Sequence, residues 1–595
     1  LVLNLFMYFP LIRGARMFSV LSVRRLVCFT SGFFIFLCAH LASRMGDFAK
    51  DPGVGWHIAS GQWILKHGTV PWFDPFLAYK EPLPWISDQW GSDVIFALLY
   101  GSGGWVGLYN FLILVYLGAF FLLVYPVVKE RSGSTLITLV ATIFSSKPAE
   151  IHFILRPVIF GFFFMALLGR LLPLIGKESG LLLSRIGRWA FFLFFAWANL
   201  HPSFAYGLII LALYSFVAGG WDILAEGRKR CALRGATAVV AGAIGSLCTP
   251  YGWRLHQSIL SLGSSKYFMR LHEEWMPLDI LRSEGMFFIL IVGTIMVATW
   301  IRAARGQRVV ASGIAEAVIL AFAARSGFAH LRMIPYFFIL AAPLFGSSLL
   351  LVADISETKL ARFVTGLRDR FRAREQFECQ RASPTLLMAL LFLVCLVGSI
   401  WERVAGFPTI ERQVETEEVS KFGDLDRSMP IPLGPSHAEF PYQGLAYVKS
   451  LASEHTEALA RKGSIVVLSP PEWGGFITLF GKGVVKPLFD DRNTMLGEER
   501  YASYFRAAAS CGGLMALAQQ LRADFLMIPS RGLTIGRCVP QIVEQGRAGG
   551  PREGNVCTGT EPCWAQPLEP QLPNYADNVA FVYRVPPAQG VKPAR

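Results

Sequence analysis

Long apolar runs separated by short basic loops constrain this chain more than any other feature. A bilayer crossing needs roughly 20 apolar residues, fewer where interfacial residues flank the run. About eleven runs meet that criterion, with cores at 26–43, 106–128, 134–146, 153–175, 189–200, 203–221, 235–249, 286–301, 309–324, 333–352 and 385–402. The third, fifth and seventh are short, and residues 94–100 could add a half-helix. Composition agrees: 53% of residues are hydrophobic and 16% charged, against roughly 25% charged in an average soluble protein. An ordinary soluble enzyme, a disordered chain and a collagen-like repeat are all excluded.

The net charge of +14 does not point to a nucleic-acid partner, because the basic residues cluster between apolar runs in the positive-inside pattern. Arg24 and Arg25 precede the first run and put the N-terminus in the cytoplasm. The exits on that side then carry Lys129 and Arg131; Lys177, Arg185 and Arg188; Arg228, Lys229, Arg230 and Arg234; Arg302, Arg305 and Arg308; and a loop from Lys359 to Arg381. The opposite loops are longer and hold fewer basic residues per length. No small-x-small cleavage site follows the first run, so it reads as an uncleaved anchor, and Met17 is a plausible start of translation.

After Trp401 the composition changes. Residues 1–403 read as the membrane domain, 404–440 as a linker and 441–595 as an extracytoplasmic α/β domain. The expected elements are a helix over 446–460, strands over 464–468 and 484–489, mostly helix over 501–522, and strands over 524–528 and 579–585. Cys511, Cys538, Cys557 and Cys563 lie in this domain. Four cysteines in an oxidising compartment allow two disulfides in three pairings, and their spacing does not suit zinc.

The outward loops collect the ionisable residues. Eight of the 10 His precede residue 404, and this topology puts all eight on or near the outer face, where ionisable groups beside the bilayer tend to mark a substrate site. The first outer loop holds Asp51, His57 and Asp74, with Trp56, Trp63 and Ile64 on one face of a short helix suited to the interface. Asp51 can act as the N-cap of that helix or as a general base at the water boundary. Asp88, His201 and Glu274 are further outer groups. Arg156, Arg254 and Arg332 sit at helix ends, where they can snorkel or grip a lipid phosphate with a guanidinium fork. Trp473-Gly474-Gly475 suggests close backbone approach or a tight turn against the membrane domain.

The run Asp51-Pro…Trp56-His57…His67-Gly-Thr-Val-Pro71…Asp74-Pro-Phe76 resembles the first outer loop of bacterial GT-C glycosyltransferase-like membrane proteins. Asn199-Leu-His201, Pro250-Tyr-Gly-Trp-Arg254, Glu274-Trp275, Arg332…Pro335, Glu472-Trp-Gly-Gly-Phe476 and Phe489-Asp-Asp-Arg492 extend the likeness over about 47–530. The resemblance implies a GT-C-like polytopic α-helical fold of about 11 transmembrane helices in a bacterial cytoplasmic membrane. It implies a polyprenyl-phosphate-linked sugar as donor and an extracytoplasmic glycan, lipid or protein as acceptor, with inversion at the anomeric carbon. Asp51 matches the first-loop base; His57, Asp74, Asp88, His201 and Glu274 would orient the acceptor; Arg156, Arg254 and Arg332 would hold the donor phosphate. Gly53 and Gln89 stand where the pattern carries acids, which works against a divalent cation, since hard cations need oxygen ligands. No cofactor is otherwise implied. A non-catalytic envelope scaffold and a lipid-linked glycan transporter are the alternatives.

Overall fold

The computed structural model describes residues 37–42, 50–176, 183–227, 229–271, 273–307, 311–355, 439–454, 463–509, 512–529, 575–576 and 579–585, with single positions at 366, 369 and 435. The segment from Lys50 opens into α1 (Val54–His67), which starts after Pro52 and Gly53 and stops at Gly68, φ 68°. Glycine takes that left-handed conformation without a Cβ penalty. Next, α2 (Trp90–Leu117), a π turn over Gly118–Val124 and α3 (Tyr125–Ser132) form one run. Gly104 breaks its helical geometry. Pro126, which has no N–H to give to the carbonyl four residues back, adjoins the widened turn. Gly104 divides α2 into two helical pieces, and the half-helix considered at 94–100 lies in the first of them.

Then come α4 (Thr135–Ala149), α5 (Val158–Gly176), α6 (Leu183–Leu200), α7 (Phe204–Glu226) and α8 (Arg230–Leu247). They lead through α9 (Trp253–Ser264) and α10 (Lys266–Leu271) to α11 (Ser283–Ala304), α12 (Ala311–Ala329) and α13 (Ile334–Ile355). Among the described residues six helical runs are long and apolar enough to cross a membrane: 90–132, 158–176, 204–225, 283–304, 312–329 and 331–353. The three short apolar runs are helical too, as α4, α6 and α8. Of the first run only residues 37–42 are described, as helix, and the last, 385–402, lies outside the described residues.

Side chains explain the packing. Trp197 stacks on Phe164 and Phe194, and Tyr116 packs on Phe120 and Phe153. On α8 the buried Gly235, Ala238, Gly242 and Gly245 recur at helical spacing, the small-residue stripe that lets membrane helices approach closely. Met286, Ile289, Leu290, Met296 and Val297 of α11 are exposed, as a lipid-facing helix requires.

The C-terminal part comprises α14 (Tyr442–Glu454), β1 (Ile465–Leu468), α15 (Pro471–Gly481), β2 (Val485–Pro487), α16 (Asn493–Ala508), α17 (Gly513–Gln520), β3 (Phe525–Pro529), β4 (Tyr575–Ala576) and β5 (Ala580–Arg584). The sheet order is β2-β1-β3-β5-β4. β1 runs parallel to β2 and β3, and β5 antiparallel to β3 and β4. Alternation along β3 sends Phe525 and Met527 into the core shared with the membrane helices, and Leu526 and Ile528 into a second core under α16 and α17, the period of two that a strand imposes. β1, β2, β3 and β5 lie within a residue or two of their expected places, while β4 was not expected. The helix α15 was not among the expected elements. Cys511, Cys538, Cys557 and Cys563 lie outside the described residues.

The two parts are pressed together by glycines. A Cβ on Gly55 of α1 would lie 2.1 Å from the Gly475 carbonyl oxygen of α15, and one on Gly475 would lie 2.4 Å from that of Pro52. The close backbone approach expected of Trp473-Gly474-Gly475 is present, inside a helix rather than a turn. It also corrects the picture of α1 as an interface-lying helix. Val54 to Gly61 are all buried, because α15 covers one side and α2 the other.

Candidate functional site

The junction beneath α15 gathers charges from several loops of the chain. Asp51, just before α1, is 4% exposed. Its Oδ1 accepts the Gly53 N–H at 2.8 Å, and its Oδ2 accepts from Arg156 Nε at 2.7 Å. The N-cap of α1 is Gly53, with no side-chain cap, so the carboxylate ties the approach to the helix and does not cap its first turn. Burial pushes the Asp51 carboxyl above its ordinary value, against the pull of Arg156, His57 and the Gly53 N–H.

Arg156 lies in the turn between α4 and α5 and presents three nitrogens to three carboxylates. Nε meets Asp51, Nη1 meets Glu274 Oε2 at 3.4 Å, and Nη2 meets Asp491 Oδ2 at 3.6 Å. Glu274 also accepts from Arg332, whose guanidinium lies 5.4 Å from the Trp275 ring centroid. Asp491 accepts from Trp56 Nε1 at 2.7 Å, and burial together with the charge of Asp51 pushes its carboxyl upward. Exposure grades from 3% for the Asp51 side chain to 23% for Arg332 and 26% for Arg156. The carboxylate is thus the closed end of the cluster and the guanidinium groups its open rim.

Gly53 is part of this geometry. A Cβ there would lie 2.9 Å from Asp491 Oδ2, 3.0 Å from Asp51 Oδ1 and 3.1 Å from Trp56 Nε1. The acid that the resembling pattern carries at this position has no room here, because Asp491 arrives from the C-terminal domain. Asp491 is the residue that sequence reasoning missed. Its signal was the Asp490-Asp491-Arg492 run, which nothing local connects to Asp51.

Two histidines flank the cluster. Ser203 donates its backbone N–H to His201 Nδ1 at 3.1 Å. A backbone N–H can only donate, so Nδ1 accepts and the proton of the neutral ring sits on Nε2. His201 is 3% exposed, and burial, with Arg332 and Arg156 adding, holds it well below its ordinary value. His152, which follows α4, is held down to about 4, chiefly by burial. Among the described residues neither Nε2 has a hydrogen-bond partner.

The other expected residues fall into separate arrangements. His57 Nδ1 donates to Asp93 Oδ1 at 2.6 Å, and Asp93 Oδ2 accepts from Ser60 and Ser87, so this pair locks α1 to α2 beside Asp51. Asp88 accepts from Gln89 Nε2 at 3.3 Å, and burial raises its carboxyl. Asp74 accepts the Leu77 N–H at 2.7 Å and pairs with Arg492 at 2.8 Å. Arg492 also grips Asp490 and lies over Trp85, a clamp between loop and C-terminal domain. Arg254, on α9, lies over Trp72 at 5.5 Å, and no described contact joins it to Arg156 or Arg332. Asn199 accepts from Trp90 and donates to Phe195 and Cys248 carbonyls, which makes it a strut. Among the described residues no three His, Cys, Asp or Glu side chains stand together as a metal would need. The oxygens that could serve a divalent cation already face Arg156.

Solved structures similar to this chain include two oligosaccharyltransferase structures. One is the archaeal oligosaccharyltransferase AglB from Archaeoglobus fulgidus, in complex with an inhibitory peptide and a dolichol-phosphate. It has 11% identity over 84% of this chain and 69% of that one, with a TM-score of 0.48. The other is the Archaeoglobus fulgidus oligosaccharyltransferase in the apo form, with 13% identity over 83% of this chain and 69% of that one, and a TM-score of 0.45. No family model and no curated protein matches the sequence. At such identities, function has to be derived from the junction's own side chains.

Proposed function

We propose that the chain is a membrane glycosyltransferase that moves a sugar from a polyprenyl-phosphate carrier to an extracytoplasmic envelope acceptor. The observation that carries this reading is the buried Asp51 carboxylate at the closed end of a cluster whose open rim is Arg332 and Arg156. In the proposed reaction the acceptor hydroxyl attacks the anomeric carbon as the bond to the carrier phosphate breaks, with inversion. Its proton passes to Asp51. The departing phosphate takes the electron pair, and its charge meets Arg332. Burial favours Asp51 as a base by raising its proton affinity, and positioned general bases typically contribute ~10²–10⁴-fold. Donors preorganised toward the leaving group add electrostatic stabilisation. His201 Nε2–H is one such donor, suited to a sugar hydroxyl or a phosphate oxygen. Arg254, on the flank at Trp72, would meet the lipid headgroup. Arg156 serves as charge balance for the base.

The test is transfer in membrane vesicles together with mass spectrometry of envelope glycans and lipid-linked sugars from a deletion strain and an Asp51→Asn strain. Asp51→Asn keeps the shape and should abolish transfer while normal expression and donor binding persist. Arg332→Ala should weaken donor binding. Wild-type transfer by Asp51→Asn would remove Asp51 as base. A deletion strain with unchanged glycans and lipid-linked sugars would favour the scaffold alternative.

A further inference from the structure

We propose that the Arg156 guanidinium is the resident cation of this junction, filling the position between Asp51, Glu274 and Asp491 that a divalent metal would need. The geometry carries the assignment. Each of the three guanidinium nitrogens faces a different carboxylate, at 2.7, 3.4 and 3.6 Å. The three carboxylates come from distant parts of the chain: the loop before α1, the segment between α10 and α11, and the C-terminal domain. A hard divalent cation needs its oxygen ligands within roughly 2.0–2.6 Å of one point. Here the guanidinium occupies the centre that the three oxygens face, so while it is in place they cannot close on a single ion. Charge agrees. Asp51, Glu274 and Asp491 bring three negative charges, Arg156 and Arg332 two positive ones, so little remains to draw in a further dication.

The same geometry has a converse. Without the guanidinium, three carboxylates face one space and lose the cation that touches all three. A buried charge that loses its partner is strongly destabilising, and a dication with oxygen-ligand preference becomes the natural replacement. Arg156→Ala should therefore convert the junction into a metal site, whereas Arg156→Lys keeps a cation in place and should not.

The experiment uses the full chain purified in detergent and stripped with chelator, with Mn²⁺ as the probe, followed by electron paramagnetic resonance and unfolding temperature. Wild type and Arg156→Lys should show no stoichiometric Mn²⁺ and no shift in unfolding temperature. Arg156→Ala should unfold at lower temperature without metal, bind Mn²⁺ with one-to-one stoichiometry and recover as Mn²⁺ is added; adding Asp51→Asn to it should remove that gain. A one-to-one Mn²⁺ site in wild type that Asp51→Asn abolishes would overturn the proposal, as would a folded Arg156→Ala chain blind to Mn²⁺. Should Arg156→Ala fail to fold, the wild-type titration decides alone. The Mn²⁺ readout does not depend on transfer, so its failure and that of the transferase reading are separable.

Discussion

His152 and His201 are buried and neutral beside two arginines, which makes acid the condition that exposes them. Both have folded-state affinities for the proton below the ordinary value, His152 at about 4. The unfolded chain therefore binds more protons between roughly pH 4 and 6.5, and stability falls as pH falls through that window, by about 1.4 kcal/mol per pH unit for each such group. Unfolding temperatures from pH 7 to 5 should drop more steeply for wild type than for the His152→Gln, His201→Gln double variant. Equal slopes would mean that these rings do not titrate on unfolding. Asp51→Asn belongs to the same scale. Asn cannot take the acceptor's proton but can still accept the Gly53 N–H, so it separates a base from a strut: transfer should be lost with the unfolding temperature lowered only modestly.

Among the elements, α1 and α15 decide whether the site exists. Their contact runs through Gly55 and Gly475, and a methyl group at either would meet backbone rather than a side chain that can turn away. Overpacking typically costs ~1–3 kcal/mol, and here the strain would separate Asp491 from Asp51. Gly55→Ala and Gly475→Ala should lower the unfolding temperature and reduce transfer together. Gly169→Ala on α5, where a Cβ meets nothing within 4 Å, should leave both unchanged. A fully active Gly475→Ala chain would show that the α1–α15 approach is dispensable.

For the whole molecule, the prediction is orientation. By the positive-inside rule, the basic loops should place the N-terminus in the cytoplasm and the junction outside. Reporters that work only beyond the membrane should be active when fused after His57, Arg254, Arg332 and Arg492, and silent after Arg188, Arg230 and Arg370. A silent fusion at Arg492 with an active one at Arg370 would invert the topology and move the site to the wrong compartment.

Most helices and four of the strands were legible in the sequence, because apolar runs and alternation are local signals that burial enforces residue by residue, whereas α15 and β4 were not. The short runs at 134–146, 189–200 and 235–249 formed helices for that reason, and β1, β2, β3 and β5 fell within a residue or two of their expected places. Asp51, Arg156, Glu274 and Arg332 stood out in the sequence as charges at or between the ends of apolar runs. Their partnership was not. Asp491 reaches Asp51 across more than four hundred residues, the space at Gly53 is closed by that arrival, and Arg156 turns toward carboxylates rather than toward lipid. Hydropathy has a period within one element, so a single sequence displays it. The pairing of charges is settled by which surfaces the packed helices and the docked sheet bring within a few ångströms, and only the tertiary structure decides that.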